Sequence, residues 1–210
     1  MREIRQFYEE LHKSYWKRDA TSFGHVRGRI FSEWIGGGKR VLDLGSRIGE
    51  VAQHYREGNE LICLDFDFDS LLLCRKSLKV GAVLQDLNYS LPFADASFDV
   101  VVAGEVLEHL FFPERLVSEA CRLLKPGGML MGSSPNAFYR SYRLKYLFGK
   151  LPDAIFNEWH IRPISFDLLK DILGRHFLRV ELFPFRGKLN RLYPRLLAKM
   201  ILFRAQKGGG

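Results

Sequence analysis

The sequence predicts an α/β fold built on a doubly wound, mostly parallel sheet, and three observations carry that expectation. Short apolar runs alternate with segments of helical spacing from residue 40 to about residue 135, which is how successive βαβ units read in a sequence. Phe98–Ala103 is apolar apart from Asp99 and rich in valine, the composition of a central parallel strand covered on both faces. The stretch Val41-Leu42-Asp43-Leu44-Gly45-Ser46-Arg47-Ile48-Gly49-Glu50 ends an apolar run in an acid and then turns through glycines, and Asp65 closes the next apolar run twenty residues after Gly45.

The elements follow in order. Residues 3–35 carry apolar positions near helical spacing (Phe7, Leu11, Tyr15, then Ile30, Phe31 and Trp34), and Gly36-Gly37-Gly38 stops that helix. Arg40–Leu44 is the first expected strand, Gly49–Arg56 a helix and Glu60–Asp65 the second strand. Ser70–Leu78 is expected as a helix after an Asp/Ser cap. Ala82–Gln85 is a short third strand and Phe98–Ala103 the fourth. Pro113–Leu124 reads as a helix ended by Lys125-Pro126-Gly127-Gly128, and Met129–Ser133 as the fifth strand. In the tail, Ser165–Leu173 reads as a helix, and Arg179–Phe183 and Lys199–Ala205 as strands separated by Leu189–Leu197. The absence of a long crossover between these two strands predicts an antiparallel hairpin at one sheet edge. That makes seven strands with helices on both faces.

At 210 residues the chain is expected to form a single domain over residues 1–207. Its expected parts are a helical cap (1–37), a ligand-binding core (38–133), a lid (134–165) and a C-terminal helix with edge strands (166–207), followed by a disordered tail (208–210). The N-terminus has no apolar core of a signal peptide, and no segment reaches the roughly 18–20 apolar residues of a membrane helix. Cys63, Cys74 and Cys121 are odd in number and lack C-x-x-C spacing. They read as thiols in a reducing compartment, so neither a disulfide frame nor a metal site is expected, and the expected location is cytoplasmic. The net charge is +8. Seven basic residues and no acid lie between Arg186 and Gly210, and Arg140, Arg143, Lys145 and Lys150 form a second basic cluster. A solvated basic face, an anionic or membrane-borne acceptor, and nucleic acid are the three readings of that charge.

Carboxylates at strand ends, glycines that admit a ligand to the backbone and the positive pole of a helix N-terminus are the parts of an adenosine pocket. A dinucleotide fingerprint, G-x-G-x-x-G, would place glycines at 45, 47 and 50, but Arg47 and Glu50 occupy two of those places. A P-loop is excluded because no G-K-[ST] follows the strand.

The chain does resemble the class I S-adenosylmethionine-dependent methyltransferases, over about residues 38–207. Their first motif, D-x-G-x-G-x-G, is matched by Asp43, Gly45 and Gly49. Their second-strand acid falls on Asp65 and their third-strand acid on Asp86. Leu91-Pro92-Phe93-Ala94-Asp95-Ala96-Ser97-Phe98-Asp99 looks like their "LPF-x-D-x-SFD" segment, Leu107-Glu108-His109 like their "LEH" strand end, and Leu123-Leu124-Lys125-Pro126-Gly127-Gly128 like their "LKPGG" turn. The resemblance implies a Rossmann-like fold and S-adenosyl-L-methionine as methyl donor, released as S-adenosyl-L-homocysteine. It implies a donor site from Asp43, Gly45, Ser46, Arg47, Gly49, Asp65, Phe66, Asp86, Leu87 and Glu105. Asp65 would accept bonds from the ribose hydroxyls, with Asp67 and Asp69 as competitors, and Phe66 would lie on the adenine. Asp43 would orient the loop, accept from the ligand's amino group, or simply cap buried amides. Asp99, at the far end of its strand, reads as structural. Arg47 departs from the family's glycine: it crowds the pocket, points outward, or pairs with the ligand's carboxylate.

In-line methyl transfer needs alignment of acceptor and methyl group, and an oxygen acceptor also needs a base. His109 is the first candidate for that base. His160 is the second, in Asn157-Glu158-Trp159-His160-Ile161-Arg162, which resembles an "HIR-x-FS" segment of members that modify small molecules, lipids and glycans. Tyr8, Tyr15, Trp16, Arg27 and Tyr139 are further candidates to line the site. The [DN]-PP-[YF] signature of amino-group methylation is replaced by Ala103-Gly104-Glu105-Val106. The expected function is therefore methyl transfer to an oxygen or carbon of a small-molecule, lipid-linked or saccharide acceptor. The alternatives are an RNA methyltransferase or a cofactor-binding relative without activity.

Overall fold

The computed structural model describes residues 22–152, 155 and 160–209. They gather into two compact units, one ending at Asp86 and the other beginning at Leu87.

The first unit opens with helix α1 (Ser22–Ile35). Gly24, Arg27, Gly28, Phe31 and Ile35 are its buried positions, spaced as one helical stripe. Gly28 is glycine for a reason of space, since an added Cβ would lie 2.3 Å from the His54 ring. The expected helical segment before residue 22, with Tyr8, Tyr15 and Trp16, lies outside the described residues. Strands β1 (Arg40–Leu44), β2 (Glu60–Asp65) and β3 (Gly81–Leu84) pair in parallel in the order β3-β2-β1, with Leu42 opposite Ile62 and Ile62 opposite Gly81. Helix α2 (Phe68–Leu78) starts two residues earlier than expected because Asp67 caps it, accepting from the Asp69 N–H at 3.1 Å and the Ser70 hydroxyl at 2.7 Å.

The helix expected over residues 49–56 does not form. Only a single 3-10 turn, Ala52–His54, is present. A helix needs φ near −63°, whereas Gly49 sits at +84° and Tyr55 at −126°, leaving too few residues between them for a second turn.

The second unit holds β4 (Phe98–Gly104), β5 (Leu124–Pro135), β6 (Arg179–Phe185) and β7 (Met200–Gln206) in the order β4-β5-β7-β6. β4 and β5 are parallel, while β7 runs antiparallel to both β5 and β6, so the C-terminal strands make the antiparallel edge pair expected. Helices α3 (Pro113–Leu123), α4 (Arg140–Leu147), α5 (Phe166–Gly174) and α6 (Pro194–Leu197) complete it. β5 corrects the expected boundaries at both ends. Lys125-Pro126-Gly127-Gly128 lies inside it as a bulge, five steps of β5 facing two of β4 between Leu124 and Met129. Ser134 and Pro135 extend the strand and so do not begin a lid.

The segment from Leu91 to Asp95 is pinned by Arg122, which donates to the Leu91 and Phe93 carbonyls and to the Asp95 and Glu119 carboxylates. Asp99 pairs with Lys125 at 2.9 Å, a structural role. Among the described residues there are seven strands, mostly parallel, and no helix is long and apolar enough to cross a membrane.

Candidate functional site

The glycine loop is hooked onto the end of β2. The Gly45 and Ser46 N–H groups both donate to the Leu64 carbonyl, at 2.8 and 3.1 Å. Gly45 takes φ +68° and Arg47 φ +47°, so the chain turns twice through the left-handed region in three residues. In that conformation the Arg47 N–H donates to Asp65 Oδ2 at 2.7 Å, and the Asp67 N–H reaches Asp65 Oδ1 at 3.0 Å. Asp65, only 3% exposed, is thereby oriented by one donor on each oxygen. Asp67 is engaged in capping α2, and Asp69 is exposed in the first turn. Of the three competing acids, Asp65 is the one the loop grips. The Arg47 side chain is exposed.

Asp43, at 4% exposure, is pushed up to about 7 by burial, with Asp65 adding to the rise and the Tyr55 hydroxyl and Arg27 guanidinium acting against it. Burial pushes Tyr55 well up in turn. Gly49 serves packing: an added Cβ would meet Leu78 Cδ1 at 2.6 Å and Cys74 Sγ at 2.9 Å, so α2 can close on the loop only if residue 49 has no side chain. Cys63 and Cys74 are buried, Cys121 is half-buried, and all three are free thiols.

Asp43, Gly45, Ser46, Arg47, Gly49, Asp65 and Phe66 thus gather at the carboxyl ends of β1 and β2. Phe66 is partly exposed directly after Asp65. Asp86 is exposed just beyond β3, beside Gln85, whose N–H donates to the Asp65 carbonyl at 3.0 Å. Leu87, Glu105, His109 and His160 belong to the second unit. Glu105 takes φ +58° and its N–H donates to the Ser133 carbonyl at 2.8 Å.

Within that unit His109 and His160 meet, with ring centroids 4.8 Å apart and ring planes 64° to one another. Glu108 arranges the meeting. Its carbonyl accepts from the Ile161 and Arg162 N–H groups at 2.9 and 3.0 Å, and its buried carboxylate accepts from the Ser134 hydroxyl at 3.1 Å. Arg162 also pairs with Glu114 at 3.0 Å. Glu108, His109 and His160 present ligand atoms within 4.8 Å of one another, a set able to take a divalent cation. Sequence reasoning passed over Glu108 and this convergence. The adjacent acid and histidine were visible, but nothing local said that the 160–162 backbone docks on the carbonyl of residue 108. Tyr139 packs edge-on against Tyr142.

Comparison with known proteins bears on the family and the fold. The family described as Methyltransferase domain matches residues 42–132. A demethylmenaquinone methyltransferase of Renibacterium salmoninarum is 31% identical over 163 residues, covering 73% of this chain and 68% of that protein. A ubiquinone biosynthesis O-methyltransferase of Azoarcus sp. is 29% identical over 170 residues, covering 71% of each. A methyltransferase structure from Archaeoglobus fulgidus, dependent on S-adenosylmethionine, superposes with a TM-score of 0.75 at 21% identity, over 96% of this chain and all of that one, which shows the fold. The chain spans about two-fifths of the length of the first curated relatives it matches, 39%. On the motifs, the fold and these likenesses together, the chain belongs to the S-adenosylmethionine-dependent methyltransferases.

Proposed function

We propose that this chain transfers a methyl group from S-adenosyl-L-methionine to an oxygen or carbon of a small-molecule, lipid-linked or saccharide acceptor. The observation that carries the reading is the pair of buried carboxylates, Asp43 and Asp65, set at two adjacent strand ends around the Gly45–Gly49 loop.

These residues suit that donor. Its ribose offers two hydroxyl donors and its amino acid end a cationic ammonium, and each is matched by a carboxylate. Asp65, already oriented by backbone N–H groups, accepts from the hydroxyls. Asp43, poised near neutrality, faces an amino group whose positive charge favours its ionised form. Phe66 lies on the adenine and Asp86 near its amino group. The Arg47 side chain stays outward, its contribution being the backbone N–H.

The bound cofactor supplies an electrophilic methyl group on a good leaving group. The chain's task is to hold the acceptor in line and exclude water. For an oxygen acceptor a proton must also leave, and His109 with His160 is the pair proposed to take it, positioned by Glu108. A second reading is favoured by the convergence of Glu108, His109 and His160: these three residues would hold a divalent ion, which would supply Lewis-acid polarisation of an acceptor oxygen. The names of the two relatives support a small-molecule acceptor. The basic charge favours RNA as the runner-up, and Arg47 favours a relative that binds without transfer.

The test is incubation of the protein with labelled S-adenosylmethionine and separate metabolite, lipid and RNA fractions, with and without a chelator. Label in the metabolite or lipid fraction is expected. Label in RNA alone, or donor binding without label anywhere, overturns the reading. Loss of labelling on chelation, restored by added metal, selects the metal-assisted form.

A further inference from the structure

Helix α4 is held to the second unit by a narrow stripe. Only Tyr142 is buried on it, and Tyr146 packs beside it against Ala137 and Ile155. The opposite side is unusual for a surface helix. Leu144, Leu147 and Phe148 stand at i, i+3 and i+4, with Leu151 following, and all four are 57–78% exposed. Arg140, Arg143, Lys145 and Lys150 surround them, and no acid occurs from residue 140 to residue 152. Burial of α4 therefore explains two tyrosines and leaves the rest of its apolar surface unaccounted for.

A second strip has the same chemistry. Leu189, Leu192 and Tyr193 are each more than half exposed, interleaved with Lys188 and Arg191 in a stretch without acids. Both strips spring from one anchor. Buried Asn136 donates its amide to the Arg195 and Ala198 carbonyls and its backbone N–H to the Lys199 carbonyl, and its Oδ1 accepts from the Phe138 N–H just ahead of α4. Arg186 lies close enough to Tyr139 and Tyr142 for their fields to act on one another.

We infer that α4, together with the Lys188–Tyr193 strip, is a docking surface for an anionic lipid bilayer. Protruding apolar side chains ringed by cations match the layered chemistry of a bilayer surface, acyl chains beneath anionic headgroups. A nucleic acid would use the cations but would gain nothing from exposed leucines. A second copy of this chain would bring two uniformly basic faces together, which is repulsive. The inference uses the charge excess left unexplained by methyl transfer and does not depend on that reaction.

The test is co-sedimentation of the whole chain with vesicles of phosphatidylcholine, with or without about one-third phosphatidylglycerol. Binding to the anionic vesicles alone is expected, weakening as salt rises. The double substitution Leu147→Ser/Phe148→Ser should weaken it about tenfold with an unchanged melting temperature, since both side chains are exposed. Arg143→Gln/Lys145→Gln should weaken it on anionic vesicles too. Wild-type binding that ignores lipid charge, or a serine variant that binds as well as wild type, overturns the proposal. So does RNA binding, or self-association, that the serine variant abolishes while vesicle binding stays absent.

Discussion

The Arg47 N–H donates to Asp65 Oδ2 at 2.7 Å, and with the Gly45 and Ser46 bonds to the Leu64 carbonyl it ties the glycine loop to the end of the neighbouring strand. Because the Asp67 N–H takes the other oxygen, Asp65 must accept on both sides. An asparagine can accept on one oxygen only, so Asp65→Asn sets an amide N–H₂ against a backbone N–H. Leaving a buried donor unsatisfied costs about 1–3 kcal/mol. A fall of several degrees in melting temperature is expected, with loss of most donor affinity by calorimetric titration. A variant as stable and as tight as wild type would show that Asp65 is not the gripping acid.

Arg47→Gly separates backbone from side chain at the one position that departs from the family pattern. Arginine at φ +47° carries about 1 kcal/mol of strain, which glycine relieves while adding a similar amount of unfolded-state freedom. Stability should therefore hardly change. An exposed ion pair is worth at most about 1 kcal/mol, so donor affinity should fall by no more than about fivefold. Arg47→Pro, which has neither the N–H nor the positive φ, should lose donor binding altogether. A large loss in the glycine variant would show that the guanidinium holds the ligand.

Asp43 makes stability and binding depend on pH in opposite ways. Its folded-state value of about 7 lies above its ordinary 3.8, so the folded protein keeps a proton that the unfolded chain has released. Its contribution to stability is therefore fully present below about pH 4 and is lost as pH rises to 7. Asp43→Asn should match wild type in melting temperature below about pH 4 and exceed it by several degrees at pH 8, a gain on the order of 4 kcal/mol. Donor binding to wild type should tighten as pH rises through 7 and then level off, while the asparagine variant binds weakly throughout. Equal melting temperatures at pH 8 would refute the protonated resting state.

If His109 and His160 act as one proton-accepting unit, either alanine substitution should lower kcat on an oxygen acceptor by about 10²–10⁴ with donor affinity unchanged. The double variant should be no slower than the worse single one. Glu108→Gln keeps the backbone anchor and should lower kcat less than either histidine change. Additive losses would show that the two histidines act independently, and a loss confined to donor binding would remove the pair from the chemistry.

Much of the fold was legible because its signals are local. The valine-rich run of β4 and the alternation of elements each declare themselves within a few residues. The exceptions have specific causes. The expected helix after Gly49 fails at that residue's positive φ, which the local periodicity does not signal, and Leu78 and Cys74 of α2 leave no room for a side chain at the same residue. β5 starts early because its proline-glycine run is absorbed as a bulge against β4, which no turn rule anticipates.

The sequence by itself determined the fold class, the family and the place of the glycine loop, since periodicity, composition and motif spacing are properties of neighbours in the chain. The tertiary structure decided which acid the loop grips, why Asp43 holds a proton near neutral pH, and that two histidines 51 residues apart come together over Glu108. Those features arise from burial and from contacts between distant segments. A carboxyl group's neighbours in space set its charge, and chain spacing does not encode them.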